Sequence, residues 1–258
     1  MEWNLRGPSF AVSTACASSN HAMGLAFQMI RLGLCDAMLT GGSESMLCFG
    51  GIKAWEGLRV MSPDPGLPFS ANRNGMVQGE RAGIFVFEEL EATKARGAEI
   101  LAEVIGFAMT SDTSDIVQPS REGAARAIAG AIRDVGIALT DVGYINANGT
   151  GTAANDWTEC AAISEVFGAH AKNLMISSTK SMHGDLIGGT GAVELLACLM
   201  ALREGVVPPT IGFEVPYPDC ALDVVPNEAR EARVEVAPSN AFAFGGLNMV
   251  ITLRRYSG

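Results

Sequence analysis

Histidine is scarce in this 258-residue sequence: there are three, His21, His170 and His183. Chemistry that needs an imidazole near neutral pH therefore has few candidates. Six cysteines are present, but none form a C-x-x-C pair and none cluster with histidine. That pattern excludes a zinc-finger-type site and predicts no metal centre. Charged residues make up only 18% and the net charge is -10. Phosphate contact needs a basic face, so nonspecific nucleic-acid binding is not expected of so acidic a sequence. No apolar run reaches about 18 residues, which argues against a membrane span. No leader pattern opens the sequence. A soluble, cytoplasmic protein with reduced, mostly buried cysteines is expected.

What is present is apolar and glycine-rich. Hydrophobic residues make up 48%, and there are 30 glycines. Such a composition fits a packed core with many tight turns or close backbone approaches. The sequence predicts a strand over 9–14 and a helix over 17–34, with Met23, Phe27, Ile30 and Leu34 spaced by three and four. A buried strand follows at 36–40, closed by Gly41 and Gly42, and residues 49–79 read as loop-rich. Further strands are expected at 83–89, 100–109, 144–147, 174–178, 236–242 and 247–254. Ala124, Ala125, Ile128, Ile132 and Val135 predict an amphipathic helix, and further helices are expected over 155–167 and near 190–203. The alternation argues an α/β fold. A strand-helix-strand-strand pattern at both ends hints at two related halves meeting near residue 95.

Four stretches carry candidate chemistry. V-S-T-A-C-A-S-S, residues 12–19, puts Cys16 between a strand and a helix start, where backbone N–H groups stabilise a thiolate and donate to an oxyanion. A buried structural cysteine is the alternative. N-G-T-G-T-A-A-N-D-W-T-E, residues 148–159, is a donor-rich loop or an ordinary turn before a helix capped by Asn155 or Asp156. S-S-T-K-S-M-H-G-D, residues 177–185, brings Lys180, His183 and Asp185 together in a site or a solvated loop. N-A-F-A-F-G-G-L-N, residues 240–248, is a tight turn near a ligand or a core hairpin.

These stretches, with G-G-S-E-S at 41–45 and R-N-G-M-V-Q-G-E at 73–80, stand in an order that resembles the β-ketoacyl synthase family of the thiolase superfamily. The resemblance covers essentially the whole chain. It implies a thiolase-like α/β fold, layered α-β-α-β-α in the complete family. Residues 1–95 would be the end of the N-terminal half and 96–258 the C-terminal half. Met1 lies fifteen residues ahead of Cys16, whereas the family has most of its first half there. The resemblance thus implies a sheet without its first strands, supplied by another chain or lacking in a fragment.

The family's reaction implies roles. Cys16 matches the nucleophile that takes an acyl group from acyl carrier protein, whose phosphopantetheine arm is the only cofactor-like group implied. The N–H groups of Cys16 and Phe244 match the oxyanion hole, and Phe244 the gating phenylalanine. Lys180 and Glu159 match a lysine and a buried acid of the active-site network. Thr150 and Thr152 match contacts to the pantetheine arm, and Phe242 and Gly245 flank the substrate channel. The family's two histidines fall on Asn148 and Asp185. Asn148 cannot exchange a proton near neutral pH, and an ionised Asp185 would repel a thiolate or an enolate. His183 lies two positions from Asp185 and is the candidate substitute, while His21 reads as structural and His170 as a surface residue. The implied function is an acyltransferase acting on carrier-bound thioesters, impaired in decarboxylative condensation. The competing one is a non-catalytic subunit resembling a chain-length factor. A homodimer, or a heterodimer with a ketosynthase-family chain, is implied in either case.

Overall fold

A computed structural model describes residues 4–258. Its centre is a five-stranded mixed sheet in the order β3-β9-β8-β4-β5. The strands are β3 (Glu103–Ser111), β4 (Tyr144–Asn146), β5 (Met175–Ser177), β8 (Val236–Ala243) and β9 (Leu247–Arg254). β3, β9 and β8 pair antiparallel, whereas β8, β4 and β5 run parallel. Parallel pairing demands crossovers, and helices α4 (Arg121–Val135) and α5 (Ala153–Phe167) cover one face. A second, two-stranded sheet pairs β1 (Ala37–Glu44) with β2 (Arg81–Glu88) over eight residues each. Two-residue strands β6 (Val206–Val207) and β7 (Arg230–Glu231) form a small third sheet.

Alternation along β9 divides the core. Val250 faces the α4–α5 layer with Ile128, Ile145 and Ile163. Met249, Ile251 and Leu253 point the other way, toward helix α7 (Thr190–Arg203) with Leu195 and Cys198. Helix α7 contacts both the large sheet and the β1–β2 pair, and it packs against α1 (Ser18–Arg31). Small residues permit these approaches. A Cβ added at Gly24 of α1 would lie 1.9 Å from the Phe107 ring of β3. Helix α4 is capped at both ends: Ser120 Oγ accepts from Gly123 N, and Gly136 closes the helix at φ 71°.

Several expectations are corrected. Residues 9–13 form no strand, because no neighbouring strand among the described residues pairs with them, and Phe10 is exposed. Helix α2 (Phe49–Gly57) lies in the segment expected to be loop-rich. Its three glycines oppose a helix locally, but Gly51 packs closely on the Met46 carbonyl and Trp55 stacks on Phe244. β1 does not stop at Gly41 and Gly42 but runs through them, since Gly41 lies against Gly83 of β2 and Gly42 against Ser19. The cap of α5 is Thr152, whose hydroxyl accepts from Asn155 N, rather than Asn155 or Asp156. Finally, not all six cysteines are reduced: Cys160 of α5 and Cys220 form a disulfide across 60 residues. Cys16, Cys35, Cys48 and Cys198 are free, and Cys48 is exposed.

Ile251 sits fully buried on the face toward α7. Truncation there removes three carbons and leaves a cavity. Ile251→Ala is expected to lower stability by about 2–5 kcal/mol in denaturant titration. A loss below 1 kcal/mol would mean that this layer is not closely packed.

Candidate active site around Cys16

Cys16 stands two residues before α1, in a turn bent at Ala15 with φ 49°. A left-handed alanine is costly and must be held by its surroundings. Ser18 does so, since its Oγ accepts from Thr14 N at 2.9 Å and donates to the Ala15 carbonyl at 2.6 Å. His21 is structural, as expected. Its Nδ1 lies 3.0 Å from both Thr14 Oγ1 and the Ala17 carbonyl, and burial lowers its pKa. Burial pushes the Cys16 thiol far up, and the Asp185 carboxylate adds to the shift. Lys180 and the cysteine's own backbone N–H oppose it.

The loop after β4 is anchored from beneath. Glu159 is fully buried and accepts from Asn148 N and Gly149 N, each at 2.8 Å, and from Asn240 Nδ2 at 3.0 Å. Burial nevertheless raises its pKa. Asp156 accepts from Phe69 N and Gly151 N and lies 3.5 Å from Arg73 Nε. Asn155 donates to Asp156 at 3.1 Å, and its own Oδ1 accepts from Asn148 Nδ2 at 2.8 Å. The orientation of Asn148 is thereby set by a carboxylate two links away.

Lys180, at the start of the short helix α6 (Lys180–His183), is also buried. Its ammonium donates to the Asn148 carbonyl at 2.5 Å and to Glu194 Oε1 at 2.6 Å. Burial alone would lower the Lys180 pKa, but Glu194 and then Asp185 raise it, so the lysine stays charged. Asp185 is 2% exposed, and its Oδ1 accepts from Ile187 N at 2.8 Å and Thr190 Oγ1 at 2.9 Å. His183 does not take up the place beside Asp185. Its Nδ1 lies 2.7 Å from the Gly184 carbonyl and its Nε2 3.1 Å from Thr179 Oγ1. Burial, then the Lys180 charge, push its pKa down to about 4, so it is neutral at pH 7. His170 is half-buried rather than a free surface residue, with Nε2 2.9 Å from the Val142 carbonyl.

These parts converge on a cavity of about 130 Å³. Cys16, Asn148, Thr150, Thr152, Asp185, Phe242 and Phe244 line it. Lys180 and Glu159 lie behind the wall, and His183 is outside it. Gly245 is exposed beside the rim, with its N–H donating to the Ile116 carbonyl. The N–H groups of Cys16 and Phe244 donate to no other residue among those described. Trp55 of α2 stacks on Phe244 with ring centroids 5.8 Å apart and closes the apolar side with Val60 and Met76.

Three partners were not foreseen in the sequence. Glu194 is the lone acid in the apolar T-G-A-V-E-L-L-A-C-L-M-A-L stretch, which was the available signal. The sequence around Asn155 marks it only as a candidate helix cap. Nothing near Trp55 marked it as facing Phe244.

Residues 1–93 match the model of the β-ketoacyl synthase N-terminal domain, and residues 101–214 match that of the C-terminal domain. The chain belongs to the β-ketoacyl synthase family. It is 51% identical to nodulation protein E of Rhizobium sp. (strain N33), over 99% of this chain and 63% of that protein. It is 45% identical to 3-oxoacyl-[acyl-carrier-protein] synthase 2 of Synechocystis sp., over 97% of this chain and 62% of that one. A solved structure of a type II polyketide synthase acyl-carrier protein in complex with its ketosynthase superposes with TM-score 0.95 at 35% identity. That match covers 97% of this chain and 64% of the matched chain of that complex. The fold is thus the thiolase-like α/β fold of ketosynthases, and the chain spans just over three-fifths of the length of these relatives.

The Asp185 carboxylate opposes ionisation of Cys16, so its removal lowers the thiol's pKa and increases thiolate. Iodoacetamide is expected to alkylate Cys16 more slowly than exposed Cys48 at pH 7.5. Asp185→Asn should speed the Cys16 reaction, followed by peptide mass mapping. An unchanged rate would show that the two groups do not interact, and a slower one that Asp185 assists the thiol more as a proton acceptor than it opposes the thiolate. Lys180→Met leaves Glu194 buried without its cation, and a loss of about 3–5 kcal/mol is expected in thermal or denaturant unfolding.

Proposed function

We propose that this chain accepts an acyl group from acyl carrier protein onto Cys16, in fatty-acid or polyketide biosynthesis, and is impaired in decarboxylative condensation. The carrying observation is the company Cys16 keeps. Asn148 and Asp185 share its cavity, and no histidine lines that cavity among the described residues.

In the acylation step the Cys16 sulfur attacks the thioester carbonyl carbon. The bond to the pantetheine sulfur breaks, and the thiol proton passes to the leaving sulfur. Asp185 is the ionisable acceptor beside Cys16 that can carry this proton. Developing negative charge on the carbonyl oxygen is met by the N–H groups of Cys16 and Phe244. The hydroxyls of Thr150 and Thr152, 2.9 Å apart, supply hydrogen bonds for the amides of the phosphopantetheine arm. Condensation asks for more. A malonyl unit brings a carboxylate and then an enolate into a cavity that already holds Asp185, and no imidazole is there to donate. Absence of a positioned acid or base typically costs about 10²- to 10⁴-fold. A cytoplasmic location and pairing with a second copy or another ketosynthase-family chain belong to the same reading. Among the described residues no helix is long and apolar enough to cross a membrane.

Intact-mass analysis after mixing with an acyl-loaded carrier protein tests the reading. An acyl adduct is expected on the wild type and none on Cys16→Ala. A wild type without adduct would favour the non-catalytic subunit resembling a chain-length factor. With malonyl carrier protein added, CO₂ release should be slow, and the pair Asn148→His with Asp185→His should raise it by about 10²-fold or more. Rapid release by the wild type would end the claim of impairment.

A further inference from the structure

The cavity around Cys16 has an unusual charge distribution. The only ionisable oxygen-bearing side chains lining it are the carboxylates of Asp112 and Asp185, and no lysine, arginine or histidine lines it among the described residues. The nearby cations are spent elsewhere. Lys180 is bound to Glu194 and the Asn148 carbonyl, and Arg73 to Asp156 and the carbonyls of Ser70, Thr152 and Ala153. Asp112 is satisfied, because its Oδ1 accepts from Asn248 and its Oδ2 from Ser120 N.

Asp185 is not satisfied. Both donors that reach it, Ile187 N and Thr190 Oγ1, go to Oδ1, and no described residue donates to Oδ2. Asn148 is in the same condition. Its Nδ2 is turned to Asn155 by the Asp156–Asn155 link, and no described residue donates to its Oδ1. Both side chains are more than nine-tenths buried, at 2% and 3% exposure, and both line the cavity with Cys16. The cavity therefore holds a nucleophilic sulfur and, on two largely buried side chains, two acceptor oxygens without protein donors among the described residues, one of them on a carboxylate that forms no ion pair with them. Acceptors in this state are free to take a donor from a ligand in place of water.

We propose that the acceptor taking the acyl group from Cys16 is a primary amine, which enters as an ammonium ion and gives up a proton to Asp185. The inference rests on the acyl-Cys16 reading above and names the second substrate of that site. An ammonium offers three donors and a positive charge, which suits both open oxygens. A thiol is a weak donor and an alcohol has only one, and neither carries charge. A malonyl carboxylate carries the wrong charge.

The step balances. Asp185 takes one proton from the ammonium nitrogen, and the freed lone pair attacks the thioester carbonyl carbon. The nitrogen–carbon bond forms and the carbon–sulfur bond breaks. The electron pair of that bond goes to the Cys16 sulfur, which takes a second proton from nitrogen. Asp185 then releases its proton to water, leaving an amide and the free thiol. Asp185 is thus the general base of the second half-reaction, and Asn148 positions the amine.

The test uses single-turnover deacylation. Cys16 is loaded from hexanoyl carrier protein, the donor is removed, and propylamine, 1-propanol or propanethiol is added at equal concentration. Loss of the adduct is followed by intact mass and the product by mass spectrometry. Each rate is divided by that of the same nucleophile on hexanoyl-N-acetylcysteamine. Propylamine should give N-propylhexanamide with a corrected rate about tenfold or more above the other two, and Asp185→Asn should lower that rate by about 10²- to 10⁴-fold. Asn148→Leu should raise the propylamine concentration needed for half-maximal rate. If either variant fails to fold, the order of the three nucleophiles on the wild type decides alone. Propanol or propanethiol matching propylamine, or a folded Asp185→Asn as fast as wild type, overturns the proposal. Failure to load Cys16 overturns the acyl-transfer reading with it, whereas a loaded Cys16 that ignores the amine overturns only this one.

Discussion

The Glu159 carboxylate is the point on which the site depends. It projects from α5 and receives two backbone N–H groups of the loop after β4 and the side chain of Asn240 on β8. Two neighbouring elements and a strand 81 residues further on are tied at one buried group. An anion taken out of water is stable only when its lone pairs are met, so this constraint works in both directions. The loop must keep its shape to satisfy the carboxylate, and the carboxylate fixes where Asn148 and the threonines beyond it stand.

The same logic repeats around the cavity at a different scale. Lys180 with Glu194, and Arg73 with Asp156, are buried pairs whose remaining hydrogen bonds reach loop carbonyls. Each pair adds little net stability once desolvation is counted, but each forbids alternatives, because either partner alone would be left uncompensated. Backbone that would otherwise be free to move is held by charges. Cys16 is held differently, through a strained Ala15 braced by Ser18 and His21. The cavity thus has walls set by electrostatics and a floor set by sterics.

Much of this was legible in the sequence where information is local. The glycine-bearing turn between β8 and β9, the helix beginning after Cys16, and the loop of Asn, Gly and Thr each announce themselves over a few residues. The order of the motifs carried the family. What failed was nonlocal. Residues 9–13 have strand-like side chains, but a strand is a relation between two segments, and no described segment pairs with them. Helix α2 opposes its own propensities because Trp55 finds Phe244, nearly 190 positions away in the chain. Glu194 was hidden because its partner lies on another helix. His183 was attractive by number alone, and one turn of α6 spends both of its ring nitrogens on local oxygens.

The disulfide between Cys160 and Cys220 closes a covalent ring that contains Lys180, Asp185 and Glu194. If the molecule were pulled by its two ends, the chain would straighten on either side of that ring while the ring itself stayed shut. About 200 Å of contour would remain hidden from the applied force until the sulfur–sulfur bond broke. Part of the acidic wall of the cavity therefore sits in the mechanically shielded section of the protein, whereas Cys16 lies in the section that would yield.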